Sequence, residues 1–385
     1  MDHRALWKAI LLLWIAGVGL RLTVLAVPPV LPLLEIDLGL TGTQIGVLSG
    51  LPIFLFAVAA LPGSLLIARF GALTAVIVGL LLAGIAGSLR GAIPELGWLY
   101  AMTILMGAGI AFMQPAMPAL VRAWVPHRIG FATAIYTNGL LVGETVPVAL
   151  TLSLVLPLVG GSWRASFVVW GLPLLVFAAL MLFAPRSKAA ANAGSRRWWP
   201  DWSDGLIWRI GLIFSSVNSV YFNANAFIPS YLTNAGRADL VSATLTALNF
   251  AQLPASVIML AVAHRLERRA WPLIAIGLVM LVAVGGIAMS ASAWTVAFAA
   301  LLGFAGAATL ALGLTLPAIL SAPDDVARTS AAMFAVSYAV AMLFSVLSGA
   351  AWDLAGDPRW AFLPIAISLL PQILLIATIR FPRAS

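Results

Sequence analysis

Long apolar runs, separated by short polar breaks, follow one another along the whole chain. Each run is long enough for a helix to cross about 30 Å of hydrocarbon, which takes roughly 20 residues. The pattern therefore predicts an all-α membrane protein with twelve transmembrane helices. We place these spans, numbered 1 to 12, at residues 9–33, 44–68, 74–91, 97–121, 131–158, 163–184, 206–232, 242–264, 272–291, 294–318, 328–351 and 359–380.

The longest polar break divides the predicted spans six and six. We predict an N-terminal six-helix bundle over residues 1–184, a cytoplasmic linker over 185–205 and a C-terminal six-helix bundle over 206–385. A shift of 200 residues superimposes three landmarks of the two halves, Pro29 on Pro229, Arg69 on Arg269 and Arg128 on Arg328. Parallel repeats of this kind are typical of transporters with a midplane substrate site at the repeat interface. We therefore expect two pseudo-symmetric bundles that work by alternating access.

The charge distribution predicts how the chain lies in the membrane. Only 9% of the residues are charged, whereas soluble domains carry roughly a quarter. In the predicted threading, sixteen of the 21 Lys and Arg residues lie on one side and four on the other. Because positive residues favour the cytoplasmic side, we expect both termini in the cytoplasm and a bacterial inner-membrane location. The net charge of +8 is spread over loops, so we expect the lipid bilayer, and no nucleic acid, as a partner.

Two ionisable residues lie within predicted spans and away from their ends. Arg21 is the thirteenth residue of span 1, and Glu144 is the fourteenth residue of span 5. A charge near the bilayer centre costs about 2.5 to 3.5 kcal/mol on insertion scales, so such residues usually face a cavity or a partner. One interpretation is an internal salt bridge that only fixes the packing. A functional site is the interpretation we favour, because a buried pair contributes little net stability compared with apolar packing.

The chemistry of these two side chains indicates an anion and a proton. Arginine stays charged at physiological pH, and its planar fork binds oxyanions through two hydrogen bonds. We therefore predict that Arg21 binds substrate. Glutamate can gain or lose a proton, so we predict that Glu144 carries the coupled proton or serves as the counter-ion of Arg21.

Uncharged polar residues at helical spacing extend the candidate site. In span 7, Asn218, Tyr221 and Asn225 share one helix face with Phe222, because their offsets are three, four and seven. The further candidates for substrate contact are Asn249 and Gln252 in span 8, Tyr136 in span 5 and Tyr338 in span 11. Polar residues also bond across packed membrane helices, so packing is the alternative for each of them. That alternative also applies to Asn223, Ser256, Thr137 and Thr151. The weaker candidates are Tyr136 and Tyr338, together with Gln114 and Asn138.

Several stretches of the chain resemble the major facilitator superfamily, and in particular its cyanate permease and nitroimidazole transporter branch. They are GLRLTVLAVPPVLPLLEIDLGLT (19–41), MPALVRAWVPHRIGFATAIYTNGL (117–140), GGSWRASFVVWGLP (160–173) and AAWDLAGDPRW (350–360). The resemblance implies the major facilitator fold and secondary transport of a small solute. The usual Asn-Leu-Arg-Pro of the first helix is Gly19, Leu20, Arg21 and Leu22 here. Ala68 stands where the superfamily usually has an aspartate before Arg-x-Gly.

The sequence leaves three functions open. A proton-coupled carrier of a small anion accounts for both Arg21 and Glu144. An exporter of nitroimidazole-like or other small aromatic drugs would use Glu144 as the recognition charge. A membrane-embedded enzyme is disfavoured because the sequence contains no H-E-x-x-H or G-x-S-x-G motif. We therefore expect a monomeric transporter that is not an enzyme, needs no cofactor and uses ion gradients.

Overall fold

The chain folds as a succession of helices. The computed structural model describes residues 3–58, 66–67, 69–125, 129–184, 200–266, 268–321, 326–379 and 381, and these ranges contain no β-strand. The α-helices with described bounds, numbered α1 to α18, are His3–Gly19, Leu31–Leu38, Gly42–Val58, Ala72–Leu89, Leu96–Met113, Ala116–Trp124, Ile129–Leu150, Leu156–Leu158, Trp163–Met181, Gly205–Asn234, Val241–Phe250, Gln252–Leu266, Ala270–Met289, Ala293–Gly313, Leu316–Leu320, Val326–Ala355, Phe362–Ile367 and Leu370–Leu375.

These helices reproduce the predicted order of membrane spans. Within the described residues, ten stretches are long and apolar enough to cross a membrane. Two shorter apolar helices, Leu6–Gly19 and Gly42–Val58, occupy the positions of spans 1 and 2. The prediction of an all-α membrane protein with twelve transmembrane helices is confirmed. Ala68 and Arg128 lie outside the described residues.

The first span is not one continuous helix. α1 ends at Gly19, and the segment Leu20–Val27 forms turns before the 3-10 helix Pro28–Val30 and α2. The two prolines of that 3-10 helix have no N–H to give to the carbonyls of Val24 and Leu25, so two backbone hydrogen bonds of a continuous α-helix are lost there. The prediction of a single helix over residues 9–33 was therefore wrong, and Arg21 lies in the interruption.

Spans 4 and 10 are interrupted at equivalent positions. α5 ends at Met113 and α6 begins at Ala116, while α14 ends at Gly313 and α15 begins at Leu316. Both the ends and the new starts are therefore 200 residues apart, which agrees with the repeat found in the sequence. Pro115 precedes the second helix of the first pair, and Pro317 lies in the first turn of the second helix of the other pair. Proline suits these positions because a helix start needs no N–H from it.

The chain forms two compact units. Unit 1 consists of Met1–Gly39 and Leu55–Gly194, and unit 2 consists of Leu40–Phe54 and Ser195–Ser385. The larger part of α3 thus belongs to unit 2. Of the predicted linker over 185–205, residues 185–199 lie outside the described residues.

Within unit 2, a carboxylate on α16 caps the N-terminus of α3. The carboxylate of Asp353 accepts hydrogen bonds from the backbone N–H groups of Gly42 (2.6 Å) and Thr43 (2.8 Å). Farther along the same two helices, the Ser345 hydroxyl donates to the carbonyl of Gly46 at 2.7 Å. An anion stabilises a helix N-terminus because the first N–H groups have no partner within the helix. Asp353 therefore fixes where α3 begins.

Candidate functional site

Arg21 and Glu144 form a buried ion pair in unit 1. Nε of Arg21 donates a hydrogen bond to Oε1 of Glu144 at 3.0 Å. Arg21 is 7% exposed and Glu144 is 4% exposed, so both charges are largely removed from solvent. The interrupted segment after α1 carries the arginine, and the interior of α7 carries the glutamate. The structure thus brings together the two residues that the sequence singled out.

Glycines allow α1 and α7 to approach closely enough for this pair. A Cβ atom added to Gly17, Gly139 or Gly143 would lie within 3.0 Å of a backbone carbonyl of the facing helix. Gly139 and Gly143 form a G-x-x-x-G pattern, which lets membrane helices pack with their backbones in contact. Glu144 follows directly after the second of these glycines. Close packing therefore sets the separation of Arg21 and Glu144.

An aromatic ring lies beside the guanidinium of Arg21. The Cζ atom of Arg21 lies 5.1 Å from the ring centroid of Phe56, which is buried. A cation within about 6 Å of an aromatic face is attracted by the ring quadrupole, and more so where water is excluded. The arginine thus has a carboxylate and an aromatic ring as neighbours.

In unit 2, three of the predicted polar residues form one hydrogen-bonded chain. The hydroxyl of Tyr221 donates to Oδ1 of Asn249 at 2.7 Å, and Nδ2 of Asn249 donates to Oδ1 of Asn225 at 2.8 Å. Nδ2 of Asn225 in turn donates to the backbone carbonyl of Tyr221 at 2.9 Å. The chain links α10 to α11 and fixes the orientation of each side chain. It is the membrane-helix bonding that the sequence left open as the alternative to substrate contact.

The other predicted residues of unit 2 lie in different environments. Nδ2 of Asn218 donates to the hydroxyl of Ser337 at 2.7 Å. Tyr338 stacks on Phe334, with ring centroids 5.9 Å apart. Gln252 is buried, and within the described residues its Nε2 has no hydrogen-bond partner. Gln252 therefore has an unused donor, as does Asn223, whose buried Nδ2 also has no partner within the described residues.

Thr151 and Ser256 make hydrogen bonds within their own unit. Thr151 donates to the carbonyl of Pro147 at 2.6 Å and accepts from the indole N–H of Trp170 at 2.9 Å. The hydroxyl of Ser256 donates to the carbonyl of Leu253 at 2.8 Å. Tyr136 is half-buried, and its backbone carbonyl is the atom that Gly17 approaches. The structure therefore joins Thr151 and Ser256 to their own unit.

A second buried cation, Arg90, was missed by the sequence reasoning. Arg90 follows α4, where the predicted threading counted it among the four basic residues of the opposite side. It is 0% exposed, its guanidinium lies 4.3 Å from the ring centroid of Phe167, and Nη2 donates to the carbonyl of Thr23 at 2.8 Å. In the sequence, Arg90 follows an apolar run just as a solvent-exposed loop arginine would. No signal in one sequence separates the two.

Comparison with known proteins gives a consistent family. A family model described as Major Facilitator Superfamily matches residues 13–292. The chain is 26% identical to the cyanate transport protein CynX of Escherichia coli (strain K12), over 97% of this chain and 98% of that protein. It is 28% identical to the 2-nitroimidazole transporter of the same organism, over 93% of this chain and 91% of that protein.

Solved structures support the same fold. The xylose transporter XylE from E. coli aligns with a TM-score of 0.77 at 12% identity, covering 98% of this chain and 97% of that one. A bacterial homolog of the human lysosomal transporter Spinster aligns with a TM-score of 0.75 at 14% identity, covering 98% of this chain and 96% of that one. At such identities the likeness shows the fold alone.

Proposed function

We propose that this chain, a membrane transporter that belongs to the Major Facilitator Superfamily, carries a small anion together with a proton by alternating access. The observation that carries the proposal is the buried ion pair of Arg21 and Glu144. An arginine and a glutamate both withdrawn from solvent stabilise a membrane protein less than apolar residues of the same size would. Their presence is better explained by a substrate that exchanges with one of them.

The cost of a net charge in the bilayer couples binding of the anion to binding of the proton. In the empty carrier, Glu144 neutralises Arg21, and the pair has no net charge. When an anion takes the place of the carboxylate beside Arg21, the site acquires one extra negative charge unless Glu144 takes up a proton. An uncompensated charge at this depth is costly, so anion and proton bind together. By linkage, the presence of either one strengthens the binding of the other.

We assign the anion to Arg21 because its guanidinium can give two parallel hydrogen bonds to one oxyanion. The ring of Phe56 beside it supports a planar solute. Further substrate contacts are assigned to the polar residues predicted from the sequence, which are Tyr136, Asn218, Tyr221, Asn225, Asn249, Gln252 and Tyr338. Gln252 is the best supported of these, because its buried Nε2 has no hydrogen-bond partner within the described residues.

The proposed location is a bacterial inner membrane with both termini in the cytoplasm. The excess of Lys and Arg on one set of predicted loops supports this orientation. An anion that enters a cell with a negative interior works against about 2.3 kcal/mol per charge per 100 mV. Co-transport of one proton removes that penalty, because no net charge then crosses the membrane.

Uptake into proteoliposomes with an imposed pH gradient tests the proposal. Cyanate, the solute named for one relative, is the first probe, followed by nitrate and small carboxylates. Wild-type protein should accumulate its substrate inside the vesicles when the outside is acidic and the inside is neutral. Glu144→Gln should bind and exchange the substrate but no longer accumulate it. Glu95→Gln, which removes an exposed carboxylate at the start of α5, is the matched control and should behave as wild type. Proton-driven accumulation by Glu144→Gln would show that Glu144 is not the coupling residue.

A second candidate is transport of a small nitroaromatic solute, favoured by the similarity to the 2-nitroimidazole transporter and by Phe56 next to Arg21. A nitro group offers two oxygens to a guanidinium, but the molecule is neutral. Substrate binding would then not displace Glu144. The two candidates differ in a thermal-shift screen of cyanate against 2-nitroimidazole, in which the solute that binds the native state raises the unfolding temperature.

A further inference from the structure

The segment that carries Arg21 lacks the backbone hydrogen bonds of a regular helix. Val27 donates to the carbonyl of Val24 rather than to that of Thr23, and the next two residues are prolines. Within the described residues, no backbone N–H reaches the carbonyl of Thr23. A buried carbonyl without a partner is costly, so another donor must satisfy it if this shape is to persist.

Arg90 supplies that donor. Its Nη2 lies 2.8 Å from the carbonyl oxygen of Thr23, two residues after Arg21. Its Nε donates to the carbonyl of Gly87 at 3.2 Å, which ties the same guanidinium to the end of α4. The ring of Phe167 on α9 covers the guanidinium at 4.3 Å. Three parts of unit 1 thus converge on one side chain.

The neighbouring packing leaves little freedom for this segment. Gly87 has no side chain, and a Cβ atom added there would lie 3.1 Å from Cγ2 of Thr23. Arg90 is fully buried, and no carboxylate pairs with it among the described residues. Burying a cation without an anionic partner is expensive, so packing alone does not explain an arginine at this position.

We propose that Arg90 is a positioning residue, which holds the interrupted segment Leu20–Val27 so that the guanidinium of Arg21 meets Glu144. The inference rests on the proposed function only in its last step, the effect on transport. The geometric step, from Arg90 to the ion pair, is independent of which solute is carried. Methionine at position 90 fills a similar volume without a donor, whereas lysine keeps one donor and the charge.

A double-mutant cycle on purified protein, without any substrate, tests the geometric step. If Arg90 positions Arg21, the pair is already weakened in Arg90→Met. The fall in unfolding temperature caused by Glu144→Gln should then shrink by about half or more in that background, which is the non-additivity of coupled residues. Arg164→Met is the matched control, since Arg164 pairs with Asp37 at a half-exposed site, and its effect should add to that of Glu144→Gln.

Hydrogen exchange gives a second readout. Amides of residues 20–27 should lose protection by about tenfold in Arg90→Met, while those of α7 change little. Arg90→Lys should recover part of this protection. Additive temperature shifts together with unchanged exchange would overturn the proposal. If Arg90→Met does not fold, the same double-mutant cycle is measured with Arg90→Lys and Arg90→Gln. A smaller effect of Glu144→Gln in those backgrounds supports the proposal, and an unchanged effect contradicts it.

Transport by these variants separates this inference from the proposed function. With cyanate as probe, Arg90→Met should raise KM by about tenfold and change the maximal rate little, because a displaced Arg21 weakens binding. If wild type does not take up cyanate, that substrate is wrong, yet the cycle and the exchange data still decide the role of Arg90. Unaltered KM with a positive cycle would leave the positioning role intact and remove Arg21 from substrate binding.

Discussion

Gly143 lies so close to Val18 that a Cβ atom at position 143 would fall within 3.0 Å of the Val18 carbonyl oxygen. The obstructing atoms belong to backbone, so a small rotation of a side chain cannot relieve the clash. Gly143→Ala should therefore push α1 away from α7 and lengthen the Arg21 to Glu144 hydrogen bond. Overpacking of this kind costs about 1 to 3 kcal/mol. We expect a lower unfolding temperature and impaired proton-driven uptake.

The matched control for this prediction is Gly285→Ala. Gly285 also lies inside a membrane helix, α13, but a Cβ atom added there meets nothing within 4 Å. Replacing a helical glycine by alanine without a clash stabilises a helix by roughly 0.5 to 1 kcal/mol. Equal unfolding temperatures for Gly143→Ala and wild type would contradict the importance of this contact.

The sequence revealed the fold and the ion pair because both depend on a strong physical contrast. Twelve apolar runs of membrane-spanning length differ clearly from the sequence of a water-soluble protein. A charged residue in the middle of such a run is rare, and this rarity identifies Arg21 and Glu144. The G-x-x-x-G of Gly139 and Gly143 is a further signal in the sequence. It would have predicted that span 5 packs closely on another helix.

Other features depend on contacts between distant segments, which one sequence does not contain. The position of Arg90 at the end of a span is compatible with solvent or with burial, and only the carbonyl of Thr23 and the ring of Phe167 decide it. The interruption after Gly19 was not predicted, although Pro28 and Pro29 follow it, because membrane helices often pass through proline. Whether one does depends on donors from neighbouring helices.

Arg21→Lys should separate charge from shape. Lysine keeps the positive charge opposite Glu144, so the protein should fold and insert normally. Its ammonium group is a point charge and cannot form two parallel bonds to an oxyanion. We expect binding of the anionic substrate to weaken by about tenfold or more, measured by titration of the purified protein. Arg265→Lys, at an exposed position in α12, should leave the affinity unchanged. Wild-type affinity in Arg21→Lys would mean that this arginine does not bind the substrate.

Asp357 lies outside the membrane spans and pairs with Arg359. This ion pair predicts that the stability of the protein depends on pH. Hydrogen bonds from the side chain and then from the backbone of Arg359 lower the pKa of Asp357. A carboxylate with a lowered folded-state pKa adds stability above its unfolded pKa of about 3.9, and the contribution disappears as pH falls through the folded value. Asp357→Asn should therefore unfold at a slightly lower temperature than wild type at pH 7. The difference should vanish in strong acid, and a constant difference would rule out the charged pair as its cause.

Removing both charges of the buried pair distinguishes a transport site from a structural bridge. Arg21→Met or Glu144→Met alone leaves an uncompensated charge in the bilayer, and each should be less stable than wild type by about 3 to 5 kcal/mol. The double variant Arg21→Met/Glu144→Met removes that penalty, so its unfolding temperature should return close to, or above, that of wild type. Transport should nevertheless be lost, because neither the anion nor the proton has a binding group. Stability and uptake measured on the same four proteins decide the matter. A stable double variant that still accumulates substrate would show that the pair only holds α1 and α7 together, and that the substrate binds elsewhere.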